Sequence, residues 1–182
     1  MLSWTKVSNV DGYDIFFKRC GGGDYPLIAT VKAGASRSYK VTGLKKFTAY
    51  KAYLQAWKKV KGVKTYIGKA SPPVHAITGG YSARSCNAKS VKVDKSSLKL
   101  KVGAVKTIKA LVKGVKSDRK VLAHARKLRY FTNDRNVATV TQTGKIRATG
   151  IGSCTVYVMA NNGVRASVKV RVYGGPTKVS SK

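Results

Sequence analysis

The sequence predicts an all-β chain folded as two β-sandwiches in tandem. Three observations carry this. Apolar and polar residues alternate with period two, as in Leu98-Lys99-Leu100-Lys101-Val102 and Val168-Lys169-Val170-Arg171-Val172. Such alternation puts one face of an antiparallel sheet in a core and the other in water. Turn signals punctuate these runs at strand-sized intervals: Asp11-Gly12, Gly21-Gly22-Gly23, Lys61-Gly62, Thr143-Gly144 and Asn162-Gly163. The chain has 182 residues, and one sandwich needs about 80–100.

The elements follow in order. Leu2 and Trp4 share a face of a short first strand. Asp11-Gly12 is expected to turn the chain into Tyr13–Lys18, where Tyr13, Ile15 and Phe17 share a face. The triple glycine then allows a hairpin into Leu27–Val31, and a long apolar run follows from Leu44 to Trp57. Periodicity is weakest around residues 80–89, the expected linker. Beyond it come Val91–Val93, Leu98–Val102, a turn at Gly103, Thr107–Val112, Tyr130–Val140, Thr155–Val158 and Val168–Val172. Gly144 supplies a hairpin turn, Gly152 admits the next strand, and residues 175–182 form a polar tail. The two halves do not align with each other, so the chain is not one unit repeated.

Composition narrows the function. There are 37 Lys and Arg against 6 acids, all of them Asp, for a formal charge of +31. A catalytic carboxylate pair has almost no raw material here. No apolar run approaches the length of a membrane span, and Met1-Leu2-Ser3-Trp4 does not read as a signal peptide. Cys20, Cys86 and Cys154 are too scattered for a zinc site. Any one of three disulfide pairings is open, and small buried hydrophobes plus a linker thiol is the simpler account. His75 and His124 have no Cys or Asp at a ligand spacing, so no metal or cofactor is expected. His124 is read as solvated. Lys61–Ala70 only superficially matches a phosphate loop, because Ala70 stands where the magnesium-binding hydroxyl belongs.

Residues 1–79 resemble the fibronectin type III domain. Leu2-x-Trp4 and Asp11-Gly12-Tyr13-x-Ile15 look like that family's second and third strands. Leu44, Thr48, Tyr50, Leu54 and Ala56 fall on its Leu-x-Pro-x-Thr-x-Tyr-x-x-x-Val-x-Ala corner, with Lys46 where proline is usual. The tyrosine ring fills the core while its hydroxyl meets backbone at the sheet corner. The resemblance places the family's first strand before Leu2, so Leu2–Trp4 is expected to present an unpaired edge, frayed or captured by another segment. Residues 90–174 are similar to the bacterial immunoglobulin-like group 2 domain. The match runs from Val137-Ala138-Thr139-Val140 through Gly144-Lys145-Ile146-Arg147-Ala148 and Gly152 into an alternating strand. Tyr130 stands where tryptophan is common, and the basic stretch from Lys113 to Lys127 is long for that family. Together these resemblances imply two immunoglobulin-like sandwiches from a larger secreted or wall-associated protein of a Gram-positive bacterium. The implied role is that of a non-catalytic structural, adhesion or interaction module. The internal Lys–Asn bond of some such domains would need Asp94, Asp118 or Asp134 as its assisting carboxylate.

The lysines have two accounts. Outward strand positions must be polar, and lysine there discourages edge pairing. A charge this large also attracts phosphate or sulfate polymers. The densest candidates for polyanion contact are Lys45, Lys46, Lys58, Lys59, Lys61 and Lys64 in the first half. In the second they are Lys113, Lys116, Arg119, Lys120, Arg126, Lys127 and Arg129. The expected partners are an anionic wall polymer such as teichoic acid, a glycan, or a host surface protein. No recognition helix and no aromatic RNA-binding strand motif is present, so sequence-specific nucleic-acid binding is not expected. Two other functions fit the composition. One is an accessory region of an extracellular carbohydrate- or peptidoglycan-active enzyme, the other non-specific nucleic-acid binding.

Overall fold

The computed structural model describes residues 1–121 and 127–174. The chain is all-β and divides into two compact units, Met1–Arg84 and Ser85–Lys182. Among the described residues no helix is long and apolar enough to cross a membrane.

The N-terminal unit contains β1 (Leu2–Ser3), β2 (Gly12–Arg19), β3 (Leu27–Lys32), β4 (Ser38–Tyr39), β5 (Ala49–Val60), β6 (Val63–Tyr66) and β7 (Val74–Ile77). β1 pairs with β4, and the rest form a sheet in the order β3-β2-β5-β6, with β7 also on β5. The two layers meet where Trp4 packs on Tyr13, ring centroids 5.6 Å apart. Tyr13, Ile15 and Ala52 are buried there. The Tyr50 hydroxyl accepts the Lys45 backbone N–H at 3.1 Å, and its ring stacks on Phe17. Lys61 (φ 50°) and Gly62 (φ 82°) close the two-residue hairpin between β5 and β6. Positive φ at both turn positions matches the right-handed twist of the strands.

One expectation fails here. Gly12 does not turn the chain; it is the first residue of β2, and the turn lies at Ser8-Asn9. The glycine is needed for space. A Cβ at Gly12 would lie 2.5 Å from Trp57 Cζ2 and 2.6 Å from the Val31 carbonyl oxygen.

The C-terminal unit contains β8 (Ser85–Cys86), β9 (Ala88–Val93), β10 (Ser97–Lys101), β11 (Val105–Thr107), β12 (Ala110–Gly114) and β13 (Lys120–Val121). It continues with β14 (Arg129–Thr132), β15 (Ala138–Val140), β16 (Lys145–Ala148), β17 (Gly152–Met159) and β18 (Arg165–Tyr173). One layer is the sheet β10-β18-β17-β14; the other comprises β11-β16-β15 and the β12-β9 pair, with β8 joined to β13. The core between them holds Val156, Val158, Val168, Val170 and Val172 from the first layer, and Ala88, Val91, Ala138, Ile146 and Ala148 from the second. Those from β16, β17 and β18 are the apolar members of the alternating runs.

Three departures from the sequence reading concern this unit. Residues 85–89, read as linker, carry β8 and the start of β9, and Cys86 and Ala88 are buried. The run Thr107–Val112 is not one strand. The chain leaves β16 after Thr107, buries Ile108 and joins β9 at Ala110. Finally, β10 pairs with β18 in parallel, where alternation alone suggested an antiparallel neighbour. The expected polar tail, residues 175–182, lies outside the described residues.

Candidate polyanion-binding surfaces

The basic residues singled out in the N-terminal unit do not converge. Lys45 and Lys46 are exposed in the loop before β5. Lys58 and Lys59 are consecutive in β5, so their side chains leave opposite faces of the sheet. Lys61 occupies the hairpin tip. Lys64 is already engaged, with Nζ 2.7 Å and 2.6 Å from the two carboxylate oxygens of Asp14. The Asp14 side chain is fully buried and also accepts from Thr30 Oγ1 at 2.7 Å and the Tyr66 hydroxyl at 2.8 Å. Burial alone would raise the Asp14 pKa, but the hydrogen bonds from Lys64, Thr30 and Tyr66, with the Lys64 charge, hold it below the ordinary value. Asp14 is thus a structural carboxylate held by three side-chain donors. Sequence reasoning missed it, because Asp14 and Lys64 come together only through the sheet order.

In the C-terminal unit, Lys113, Lys116 and Arg119 line one open cleft of about 610 Å³ with Ser117 and Val121. Its floor is structural. Cys86 Sγ lies 3.6 Å and 3.5 Å from the carbonyl oxygens of Lys116 and Arg119. Gly114 leaves room for the sulfur, since a Cβ there would stand 2.6 Å from it. Arg119 Nε lies 3.5 Å from the Asp118 carboxylate. Lys120 is exposed on β13 and Lys127 is exposed just before β14. Arg129 is half-buried and donates to Asn161 Oδ1 at 2.6 Å. Burial pulls its pKa down from the ordinary arginine value. It braces the turn that carries Asn161. Arg126 and His124 lie outside the described residues.

A second basic surface comes from strands whose charges looked merely solvated in sequence. On the sheet β10-β18-β17-β14, Leu98, Val170 and Cys154 point inward, so their neighbours point out. The parallel register sets Lys99 opposite Arg171 and Ser97 opposite Lys169, and the antiparallel register continues these rows to Ser153 and Thr155. Strands lie about 4.8 Å apart, which brings Lys99, Lys169 and Arg171 to one shallow groove of about 400 Å³. Asn133 stands at its far side, its Oδ1 accepting the Thr155 N–H at 2.7 Å. Phe131 stacks on Tyr157 at 5.1 Å, and Arg165 lies 5.1 Å from the Tyr157 ring centre. The alternation Lys99/Lys101 and Lys169/Arg171 was visible in sequence; the pairing that merges the two rows was not.

Among the described residues no cluster of three or more His, Cys or Asp side chains could hold a metal ion. All three cysteines are free thiols. Cys20 Sγ lies 3.5 Å from His75 Nδ1, and burial raises the thiol pKa against the opposing charges of Lys51 and Lys18.

Residues 87–170 match the family model of the bacterial Ig-like domain (group 2). No curated protein matches the chain. Among solved structures, the chain is similar to the S-layer protein rSbsC, at 18% identity and a TM-score of 0.43, covering 93% of this chain and 21% of that one. It is also similar to domains 1–6 of surface layer protein SbsC, at 18% identity and a TM-score of 0.42, covering 91% of this chain and 21% of that one. The chain thus spans about a fifth of the length of these proteins.

Proposed function

We propose that the chain is a non-catalytic structural and interaction module of a larger secreted or cell-wall-associated bacterial protein, with weak affinity for anionic wall polymer or glycan. The observation that carries this reading is the exposed, acid-free basic face of the sheet β10-β18-β17-β14. Its outward basic residues on β10 and β18 are Lys99, Lys101, Arg165, Lys169 and Arg171, with no carboxylate between them. Six acids cannot neutralise 37 bases, so the surface potential is positive wherever such rows gather. A bacterial, extracellular setting is the natural context for the immunoglobulin-like module in residues 87–170. For the N-terminal unit we keep the fibronectin type III resemblance as a proposal. Its support is the division of strands into β1-β4 and β3-β2-β5-β6, together with the Tyr50 hydroxyl at the Lys45 backbone.

The test is binding to heparin and to teichoic acid over a salt series. Diffuse lysine contacts act through counterion release and screening, so affinity should fall by roughly tenfold or more between 50 and 200 mM salt. Absence of binding at low salt would reject the polyanion role. Salt-independent binding would mean that affinity does not come from the basic surface.

A further inference from the structure

We propose that the groove on the outer face of β10, β18 and β17 is a binding site for an acidic polysaccharide, a chain of sugar rings carrying sulfate, phosphate or carboxylate groups. This rests on the polyanion reading above and deepens it, because it assigns the contact to residues that charge density in the sequence did not single out.

Three features define the occupant. The rim is cationic: Lys99, Lys169 and Arg171 line one side of the groove, and among the described residues none of them meets a carboxylate. The floor is hydroxylated. Ser153 and Thr155 lie between these cations and Asn133, and no protein group among the described residues bonds either hydroxyl. Asn133 spends its carbonyl oxygen on the Thr155 N–H, which leaves its amide N–H groups for a ligand. Small hydroxyl side chains beside cations suit a polymer that offers both hydroxyls and anions.

The third feature separates sugar from nucleobase. Single-stranded nucleic acids bind by stacking bases on free aromatic faces. Next along β17, Tyr157 is flanked from β14 by Phe131 and from β18 by Arg165, both at 5.1 Å, while Tyr173 stands exposed at the end of β18. No aromatic side chain lines the groove itself, so it offers no stacking platform there. Bare charge is also an incomplete description of the groove, because Ser153, Thr155 and Asn133 add uncharged hydrogen-bonding groups, and sugar hydroxyls can meet these as both donors and acceptors. The geometry fits an anionic glycan lying across the strands, with its charges toward β10 and β18 and its hydroxyls over β17.

The experiment compares the whole chain with three variants, using heparin oligosaccharide, polyphosphate and a single-stranded oligonucleotide as probes at 50 mM salt. K99S/K169S/R171S removes three charges at the groove. K58S/K59S/K61S removes three charges from the β5–β6 hairpin. Thr155→Val removes one hydroxyl with no change of charge or size. Circular dichroism checks that each variant is folded. The expected result is at least a tenfold loss of heparin affinity in the groove triple and less than threefold in the hairpin triple. Thr155→Val should weaken heparin severalfold. Equal losses in the two triples would overturn the site in favour of diffuse charge while leaving the polyanion role standing. Tighter binding of the oligonucleotide than of heparin would overturn the glycan assignment. A wild-type chain that binds none of the probes would overturn the polyanion reading itself.

Discussion

Lys64 Nζ sits 2.6 Å from Asp14 Oδ2, and the carboxylate it serves is wholly buried on a strand two positions away in the sheet. Lys64 reaches it across β5, lying 4.9 Å from the Trp57 ring. Thr30 on β3 and Tyr66 on β6 complete the shell, so one side chain ties together β3, β2 and β6. These hydrogen bonds and the lysine charge outweigh the desolvation of the carboxyl and hold its folded pKa below the ordinary aspartate value. The unfolded chain therefore binds more protons than the folded one in acid. The resulting stability is fully present above the unfolded pKa and is lost as pH falls through the lowered folded pKa. Denaturant midpoints of the N-terminal unit, followed from neutral pH down into acid, should show that decline. Asp14→Asn should flatten it, and an identical pH profile in that variant would refute the assignment.

Removing the lysine tests the same cluster from the other side. Lys64→Met keeps the stem over Trp57 but leaves Asp14 with only Thr30 and Tyr66 as side-chain partners. The expected cost is about 1–3 kcal/mol, the range for a buried acceptor that loses a charged donor. Equilibrium urea unfolding measures it. A variant as stable as the parent would show that the ion pair is energetically idle.

The Tyr50 hydroxyl accepts from Lys45 N–H near the surface, where water can replace it. Tyr50→Phe should therefore cost about 0.5–1.5 kcal/mol, the net value of an ordinary hydrogen bond rather than that of a buried orphan. Thermal melting of the N-terminal unit is the readout. No change beyond error would remove the corner from the list of stabilising contacts.

What the sequence disclosed, and what it hid, follows from the range of the interactions. Period-two alternation is local, so Val168–Val172 and Leu98–Val102 were legible as strands with the correct inward faces. Which strands adjoin is decided by long-range packing. Hence the parallel β10–β18 pair, and with it the groove formed by Lys99 and Arg171, had no signature in either segment alone. Gly12 shows a different limit. A glycine can mark a turn or a close approach, and only the Trp57 ring 2.5 Å from its absent Cβ separates the two. Residues 85–89 read as linker because their run is short. Their burial depends on Gly114 and Val121, which are distant in sequence.

Two glycines of the C-terminal unit separate backbone conformation from space. Gly103 has φ 86°, and an added methyl would meet nothing within 4 Å, so Gly103→Ala should cost about 1–2 kcal/mol, the penalty of left-handed backbone alone. Gly144 has φ 81°, and a methyl there would also lie 2.6 Å from the Ile108 carbonyl oxygen and 3.2 Å from the Tyr130 ring. Gly144→Ala should cost about 1–3 kcal/mol more, since backbone must shift to admit it. Chemical denaturation of the two variants side by side gives the difference. Equal losses would mean that the β15–β16 turn relaxes freely and that Ile108 does not fix its position.

Thiol reactivity provides the last test, because the three cysteines sit in distinct surroundings. Cys20 is partly exposed beside His75, and burial raises its pKa despite the opposing charges of Lys51 and Lys18. Since the thiolate is the reacting form, Cys20 should alkylate in the native protein at mildly alkaline pH, but more slowly than the same residue in denaturant. Cys86 has no exposed surface and its sulfur faces the carbonyls of Lys116 and Arg119. Cys154 packs among the core valines at 5% exposure. Neither should react until the C-terminal unit opens, so their labelling rates should track its unfolding and slow with any stabilising condition. Timed iodoacetamide labelling with peptide mass mapping resolves the three sites. Native labelling of Cys86 as fast as Cys20 would show that the β8–β13 pair opens on its own and that residues 85–86 are not part of the C-terminal unit's cooperative fold.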